Sequence, residues 1–165
     1  MTQVCTSPPD PPAARAAHWL TSEQQTHWRA YRDGSALLAD ALGHELDEQS
    51  GLSLAEYEVL VRLSEATDRT LRMSELAGEL AHSRSRLTHT IRRMQEAGLV
   101  ERHPCAVDAR GVNCTMTERG WQRIVTSAPA HVMSVRAHLI DVLTDAQLCA
   151  LGTAMQAVAD ALREN

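Results

Sequence analysis

Residues 83–102 read SRSRLTHTIRRMQEAGLVER, and this stretch decides the fold. On a helix of 3.6 residues per turn, Leu87, Ile91 and Met94 share one face that can be buried. Arginines and small hydroxyl residues occupy most of the opposite face, and Gly98 stands where helices commonly end in a left-handed residue. Guanidinium groups bind phosphate or guanine bidentately, and short hydroxyl side chains allow a nucleic-acid backbone to approach closely. The stretch therefore predicts an amphipathic helix with a nucleic-acid-binding face.

The charge of the chain is polarised around this helix. The 165 residues carry a formal net charge of -5, and every basic residue is arginine. Residues 69–123 nevertheless hold 10 arginines against 6 acidic residues, whereas the remainder holds 6 arginines against 15 acidic residues. A basic module inside an acidic chain indicates a polyanionic partner.

The neighbouring segments complete a recognisable motif. A short helix is predicted over residues 74–81, with a turn at His82 and Ser83 before the arginine-rich helix. Residues 99–103 and 112–116 alternate in character and are separated by the turn-forming loop PCAVDARG, which predicts a β-hairpin. A helix-turn-helix followed by a hairpin is a winged helix-turn-helix.

Helical segments are predicted on both sides of this module. Thr21-Ser-Glu-Gln24 and Thr144-Asp-Ala-Gln147 have the form of capping boxes, and Pro129 is expected to kink or break the helix that follows Thr117. The predicted fold class is mainly α, a winged helix-turn-helix with a small β-hairpin wing and a helical dimerisation region. The expected divisions are a disordered Pro-rich tail (1–18), an N-terminal dimerisation helix (19–50), the DNA-binding domain (51–120) and C-terminal dimerisation helices (121–165).

The chain resembles winged-helix transcription regulators of the MarR family. The resemblance rests on LSLAEYEVLVRLSEA, LRMSELAGEL, the arginine-rich stretch and the wing sequence VDARGVNCTMTERG. It implies a homodimer on a pseudo-palindromic double-stranded operator, usually as a repressor, with Asp108 orienting a minor-groove Arg110. Ala109 stands where many relatives have a second wing arginine. The DNA contacts implied by the recognition helix and wing are Ser83, Arg84, Ser85, Arg86, Thr88, His89, Arg92, Arg93, Asp108 and Arg110.

The last predicted helix carries apolar residues at alternating steps of three and four, which is the spacing of a helix–helix seam. The seam consists of Leu148, Leu151, Met155, Val158 and Leu162. An intramolecular core helix has the same pattern, but two half-sites about 34 Å apart require two recognition helices. We therefore expect an isologous dimer formed through both termini.

Relatives in this family often respond to small phenolic or other aromatic ligands, so a small-molecule effector is expected from the resemblance. Trp28 and Tyr31 lie three residues apart and could line such a site, with Arg32 as a partner for a carboxylate. Aromatic residues at this spacing are also common in ordinary helix cores.

The alternatives are a cysteine-based redox regulator, a winged-helix protein-interaction module and an enzyme. Cys5, Cys105, Cys114 and Cys149 form no Cys-x-x-Cys motif, and His103 near Cys105 and Cys114 gives too few ligands for zinc. No phosphate loop, nucleophile elbow or metal motif indicates catalysis. The sequence predicts a cytoplasmic protein without cofactor, metal site or membrane partner, because it has no signal pattern and no long apolar run.

Overall fold

The computed structural model describes residues 19–80, 84–105 and 111–163, with only the backbone of Arg84. Within these ranges the chain forms six α-helices, three short strands and two 3₁₀ turns. In chain order these are α1 (Ser22–Ser50), α2 (Leu54–Glu65), a 3₁₀ turn (Thr67–Arg69), β1 (Thr70–Arg72), α3 (Met73–Glu79), α4 (Arg84–Glu96), β2 (Val100–Pro104), β3 (Val112–Met116), α5 (Glu118–His138), a second 3₁₀ turn (Ile140–Val142) and α6 (Asp145–Arg163). Residues 1–34 and 35–165 are separate units.

The helix ends follow the local sequence signals. Ser53 and Glu56 form a full capping box on α2, and the Thr117 hydroxyl accepts a hydrogen bond from the Gly120 N–H at the start of α5. The boxes at Thr21–Gln24 and Thr144–Gln147 are also formed by hydrogen bonds in both directions. Gly98 adopts φ +70° after α4, as its position predicted.

The wing is part of a three-stranded antiparallel sheet with the order β1-β3-β2. The predicted hairpin is present: Val100 pairs with Met116, and Pro104 pairs with Val112. No sequence pattern predicted β1, which pairs Thr70 with Thr115 on the other edge of β3. The sheet therefore connects the wing to the segment that enters α3.

The turn before β1 has an unusual backbone. Asp68 and Arg69 both lie in the left-handed region, at φ +53° and +54°. The Arg69 guanidinium lies 4.1 Å from the centre of the Trp121 ring and 3.2 Å from a Glu118 carboxylate oxygen. These contacts attach the turn to the start of α5 and offset the cost of the backbone conformation.

One apolar core lies beneath the winged module. It includes the buried faces of α2, α4 and the sheet, with contributions from α1, α3 and α5. Its buried members include Leu46, Leu52, Tyr57, Val59, Leu60, Leu63, Leu76, Leu87, Ile91, Met94, Leu99, Val100, Cys114, Met116 and Ile124. Apart from Tyr57, the buried side chains of this core are aliphatic or contain sulfur.

Pro129 was expected to kink or break α5. It does not break this helix, which continues through Pro129 to His138, and the kink stays a prediction. Proline removes one backbone donor but leaves the rest of the helical ladder available. Hydroxyls of Thr126 and Ser127 on the preceding turn donate to the carbonyls of Gln122 and Arg123. The helical run predicted as far as Leu143 instead ends at His138 and gives way to the second 3₁₀ turn.

Candidate nucleic-acid interface

α4 separates its side chains into a buried and an exposed face. Leu87, Ile91 and Met94 are at most 1% exposed, and Thr90 beside them is 8% exposed. The opposite face is exposed and polar and carries Ser85, Thr88, His89 and Arg92, while the exposed side chains of Arg86 and Arg93 flank it. The structure thus brings together on one surface most of the recognition-helix residues that the sequence analysis selected.

Arg92 lies on the open part of this face. Its Nη2 is 3.2 Å from His89 Nδ1, and its Nε is 3.9 Å from a Glu96 carboxylate oxygen. Such exposed pairs contribute little to stability, so the guanidinium can exchange them for a phosphate. A shallow hollow of about 350 Å³ on this face is lined by Ser85, Thr88, His89 and Arg92.

A second groove lies between α3, the start of α4 and β3. It has a volume of about 320 Å³ and is lined by Arg72, Met73, Ser74, Ala77, Leu87, Thr88, Gly111 and Val112. The sequence analysis did not select Arg72 or Ser74. The signal was present, because Arg72 belongs to the basic block and Ser74 falls at the start of a predicted helix.

The wing and the recognition helix are joined by a side-chain contact. Arg102 on β2 donates from Nε to Gln95 Oε1 at 2.8 Å. Ser83, Asp108 and Arg110 lie outside the described residues, as does the Arg84 side chain. The expected pairing of Asp108 with Arg110 therefore stays a prediction.

α6 exposes an apolar stripe. Leu151, Val158 and Leu162 are 37%, 51% and 73% exposed, and Leu148 and Met155 are partly buried. No α6 residue among those described is fully buried. A stripe at helical spacing that the chain's own core does not cover is typical of an interface.

The three residues expected to bind an effector lie in the N-terminal unit. The Trp28 and Tyr31 rings are 6.0 Å apart between centroids and roughly half exposed, and the Arg32 guanidinium is 2.7 Å from an Asp33 oxygen. The aromatic pair is therefore not part of an ordinary core in this chain. That these residues bind a ligand stays a prediction.

A different cavity, of about 420 Å³, lies within residues 35–163. It is lined by Leu42, Leu54, Tyr57, Glu58, Val61, Arg62, Glu79, Leu80 and His131. The His131 ring lies 4.4 Å from the Tyr57 ring between centroids, and its Nδ1 is buried with no hydrogen-bond partner in the part of the chain that the structure describes. Burial lowers the pKa of His131, and the nearby Glu58 carboxylate opposes this shift.

We expect the folded chain to lose stability as the pH falls through the range just below 6.5. The unfolded chain protonates its histidines near that value, whereas His131 in the folded chain resists protonation, so acid favours the unfolded state. Thermal unfolding between pH 7.5 and 5.5 measures this loss.

The variant His131→Gln should lose less stability over this range, because glutamine does not titrate. His27→Gln, which removes a well-exposed histidine, serves as the control and should follow the wild type. The lowered pKa values of Glu45 and Glu118 place their contributions below 4.5, outside the window. An unchanged pH dependence in His131→Gln would contradict the assignment.

The three cysteines among the described residues give little support to redox sensing, and Cys5 lies outside those residues. Burial raises the pKa of Cys114 to about 12, which disfavours the reactive thiolate. Cys105, Cys114 and Cys149 are all free thiols, and Arg72 donates to Cys105 Sγ at 3.4 Å. Among the described residues no group of three His, Cys, Asp or Glu side chains is placed to hold a metal ion, and no helix is long and apolar enough to cross a bilayer.

Comparison with known proteins gives concordant results. Residues 50–111 match the family model described as MarR family. Sco3205 from Streptomyces coelicolor, a MarR family transcriptional regulator solved in complex with DNA, is 40% identical; the match covers 87% of this chain and 94% of that one, with a TM-score of 0.84. AbsC, a MarR family transcriptional regulator from the same organism, is also 40% identical, over 90% of this chain and 100% of that one, with a TM-score of 0.85.

A more distant structure has the same fold. A mutant MarR from E. coli, complexed with operator DNA, is 22% identical and covers 82% of this chain and 95% of its own, with a TM-score of 0.73. No curated protein matches the chain.

Proposed function

The chain belongs to the MarR family of transcriptional regulators, and from that premise we propose that it binds a pseudo-palindromic DNA operator as a homodimer and represses transcription there. The observation that carries this proposal is the exposed face of α4, where arginines, hydroxyls and a histidine stand opposite a fully buried apolar face. That arrangement fits a helix lying in a major groove. The 40% identical Sco3205 was solved in complex with DNA, which supports the same partner here.

The apolar stripe of α6 supports the dimer. Leu151, Val158 and Leu162 expose side chains that a second copy could cover by two-fold symmetry. A dimer would place two recognition helices on successive major grooves, roughly 34 Å apart. The same stripe is therefore the proposed dimerisation surface, with Leu148 and Met155 as its partly buried members.

Sequencing the genomic fragments that the purified protein retains would test the proposal and give the operator. A protein-interaction module would retain no DNA above background. An operator would appear as a recurrent inverted repeat among the retained fragments.

We expect Arg86→Ala and Arg92→Ala to weaken binding in different ways. If Arg86 contacts a base, its loss should reduce specific affinity by about 1–3 kcal/mol and leave nonspecific affinity largely unchanged. If Arg92 contacts a phosphate, its loss should reduce both affinities and reduce the magnitude of the slope of log K against log salt by about 0.9. Fluorescence anisotropy with operator and scrambled duplexes at several salt concentrations distinguishes the two.

Arg163→Ala, at the end of α6, provides the matched control, because it removes an arginine outside the basic block and should bind as the wild type does. Normal operator binding by both Arg86→Ala and Arg92→Ala would show that the recognition face has been misplaced.

We also propose that a small aromatic ligand regulates the DNA affinity. The supporting observation is the cavity beside Tyr57 and His131, where a buried, unpartnered nitrogen could receive or donate one hydrogen bond. A thermal-shift screen of phenols and aromatic acids, repeated with His131→Gln and with Trp28→Ala, would test this cavity against the aromatic pair expected from the sequence.

A further inference from the structure

Two adjacent arginines of α4 have different surroundings. Within the described ranges, the polar contacts of Arg92 are with exposed groups on its own helix, His89 and Glu96. Arg93 instead points to α2, where its Nη2 lies 3.5 Å from Glu56 Oε1. Neighbouring residues on a helix are 100° apart around its axis, so the two guanidinium groups serve different surfaces.

Glu56 is an unusual partner for a surface arginine. Its side chain is 8% exposed, whereas that of Arg93 is 57% exposed. Its other oxygen, Oε2, accepts hydrogen bonds from the Ser53 N–H at 2.9 Å and the Ser53 hydroxyl at 2.8 Å. The Glu56 carboxylate therefore caps α2 through Oε2 and pairs with Arg93 of α4 through Oε1.

A buried carboxylate without a cation is costly, so this contact favours one placement of Arg93. Apart from the hydrogen bond between Gln95 and Arg102 near its C-terminal end, the contacts of α4 with the rest of the fold are largely apolar, through Leu87, Ile91 and Met94. Apolar packing is less directional than a polar contact between defined atoms. The ion pair of Arg93 with Glu56 is therefore the contact that fixes α4 relative to α2.

We infer that Glu56 sets the orientation of the recognition helix through Arg93, and that Arg93 is a positioning residue and not a phosphate contact. This inference rests on the proposed DNA-binding function. It replaces, for Arg93, the DNA-contacting role expected from the sequence. The carboxylate of Glu56 is buried under α4 and acts on DNA only through Arg93.

The variant Glu56→Gln separates the two roles by the sign of its effect. If Arg93 is a positioning residue, removing the charge of Glu56 should weaken operator binding roughly tenfold, an effect between those of losing an exposed and a buried ion pair. If Arg93 contacts a phosphate, losing the competing carboxylate should leave operator binding unchanged or strengthen it. Binding is measured by fluorescence anisotropy on full-length protein.

Arg93→Gln gives an independent measure. As a positioning variant it should weaken operator binding by a similar factor, with the salt slope unchanged, whereas a lost phosphate contact lowers that slope by about 0.9. The double variant should bind like either single variant, because both changes disable one contact. Arg93→Lys should recover part of the affinity.

Ser53→Ala is the matched control, because it weakens the cap of α2 and leaves the carboxylate for Arg93. It should lower thermal stability without changing operator affinity. An affinity loss in Ser53→Ala equal to that in Glu56→Gln would overturn the inference, since general destabilisation would then explain both.

Amide hydrogen exchange in the free protein tests the same contact without DNA. Glu56→Gln and Arg93→Gln should both speed exchange along residues 84–96, and Ser53→Ala should speed it in the first turn of α2. If the wild type bound no operator, the proposed function would fail while this measurement still decided whether the pair holds α4. Unchanged exchange in α4 of both variants would overturn the positioning role.

Discussion

Replacing Gly120 by alanine is expected to destabilise the protein by about 3 kcal/mol or more, the size of effect seen when a side chain is forced into a packed core. A Cβ at this position would lie 2.2 Å from the Leu99 carbonyl oxygen and 2.8 Å from Met116 Cγ. The methionine side chain can move, but a backbone carbonyl at 2.2 Å requires the strand or the helix to shift.

The Leu99 carbonyl has little freedom to move away. It accepts a hydrogen bond from the Thr117 N–H at 3.0 Å, and the Thr117 hydroxyl donates to the Gly98 carbonyl at 2.7 Å. The same hydroxyl caps α5 by accepting from the Gly120 N–H at 3.0 Å. Relieving the clash would therefore disturb the cap, the entry into β2 and the base of the wing together.

Urea unfolding followed by circular dichroism would measure the effect of Gly120→Ala. Gly78→Ala is the matched control, because Gly78 lies in α3 with nothing within 4 Å of an added Cβ. Alanine there should be neutral or slightly stabilising, since glycine disfavours a helix by roughly 0.5–1 kcal/mol. Equal unfolding midpoints for Gly120→Ala and the wild type would contradict the close approach.

Replacing both Leu151 and Met155 by aspartate is expected to convert the proposed dimer to a monomer. Two carboxylates in the centre of an apolar interface would be buried without partners. Light scattering should then report a mass near that of the 18.1 kDa chain and not twice that value. Operator affinity should fall by roughly a hundredfold or more, because the two half-sites would no longer be bound by one linked molecule.

Thr153→Asp adds one negative charge, half of that in the double variant, to the opposite side of α6 and should leave both mass and affinity unchanged. A Leu151→Asp/Met155→Asp protein that remained a dimer would show that the α6 stripe is not the dimer contact. A wild-type chain that was monomeric at micromolar concentration would remove the basis for two half-sites.

The features that the sequence predicted well are those set within a few residues. The two faces of α4 follow from the spacing of Leu87, Ile91 and Met94, and the helix caps follow from hydroxyl and carboxamide or carboxylate side chains three residues apart. The left-handed Gly98 and the wing strands likewise depend on local patterns. Each of these signals is confined to one turn or one hairpin.

The features that were missed depend on contacts between distant segments. β1 is only three residues long, and it is a strand because β3, more than forty residues later, supplies its hydrogen bonds. Ser53 and Glu56 lie three residues apart and form a local capping box, but the contact of Glu56 with Arg93 joins two helices that are distant in sequence. The cavity beside Tyr57 and His131 requires residues from several helices, so no single stretch indicates it.

Because Cys114 is buried in β3, the reactivity of its thiol reports on how often this strand separates from its neighbours. A thiol that is fully buried and has a pKa of about 12 reacts with alkylating reagents only when the middle strand of the sheet separates from its neighbours. Cys149 on α6 is exposed and reacts without any opening. The alkylation rate of Cys114 relative to that of Cys149 therefore measures how often the wing detaches from the core. Mass spectrometry can follow both rates without an added label.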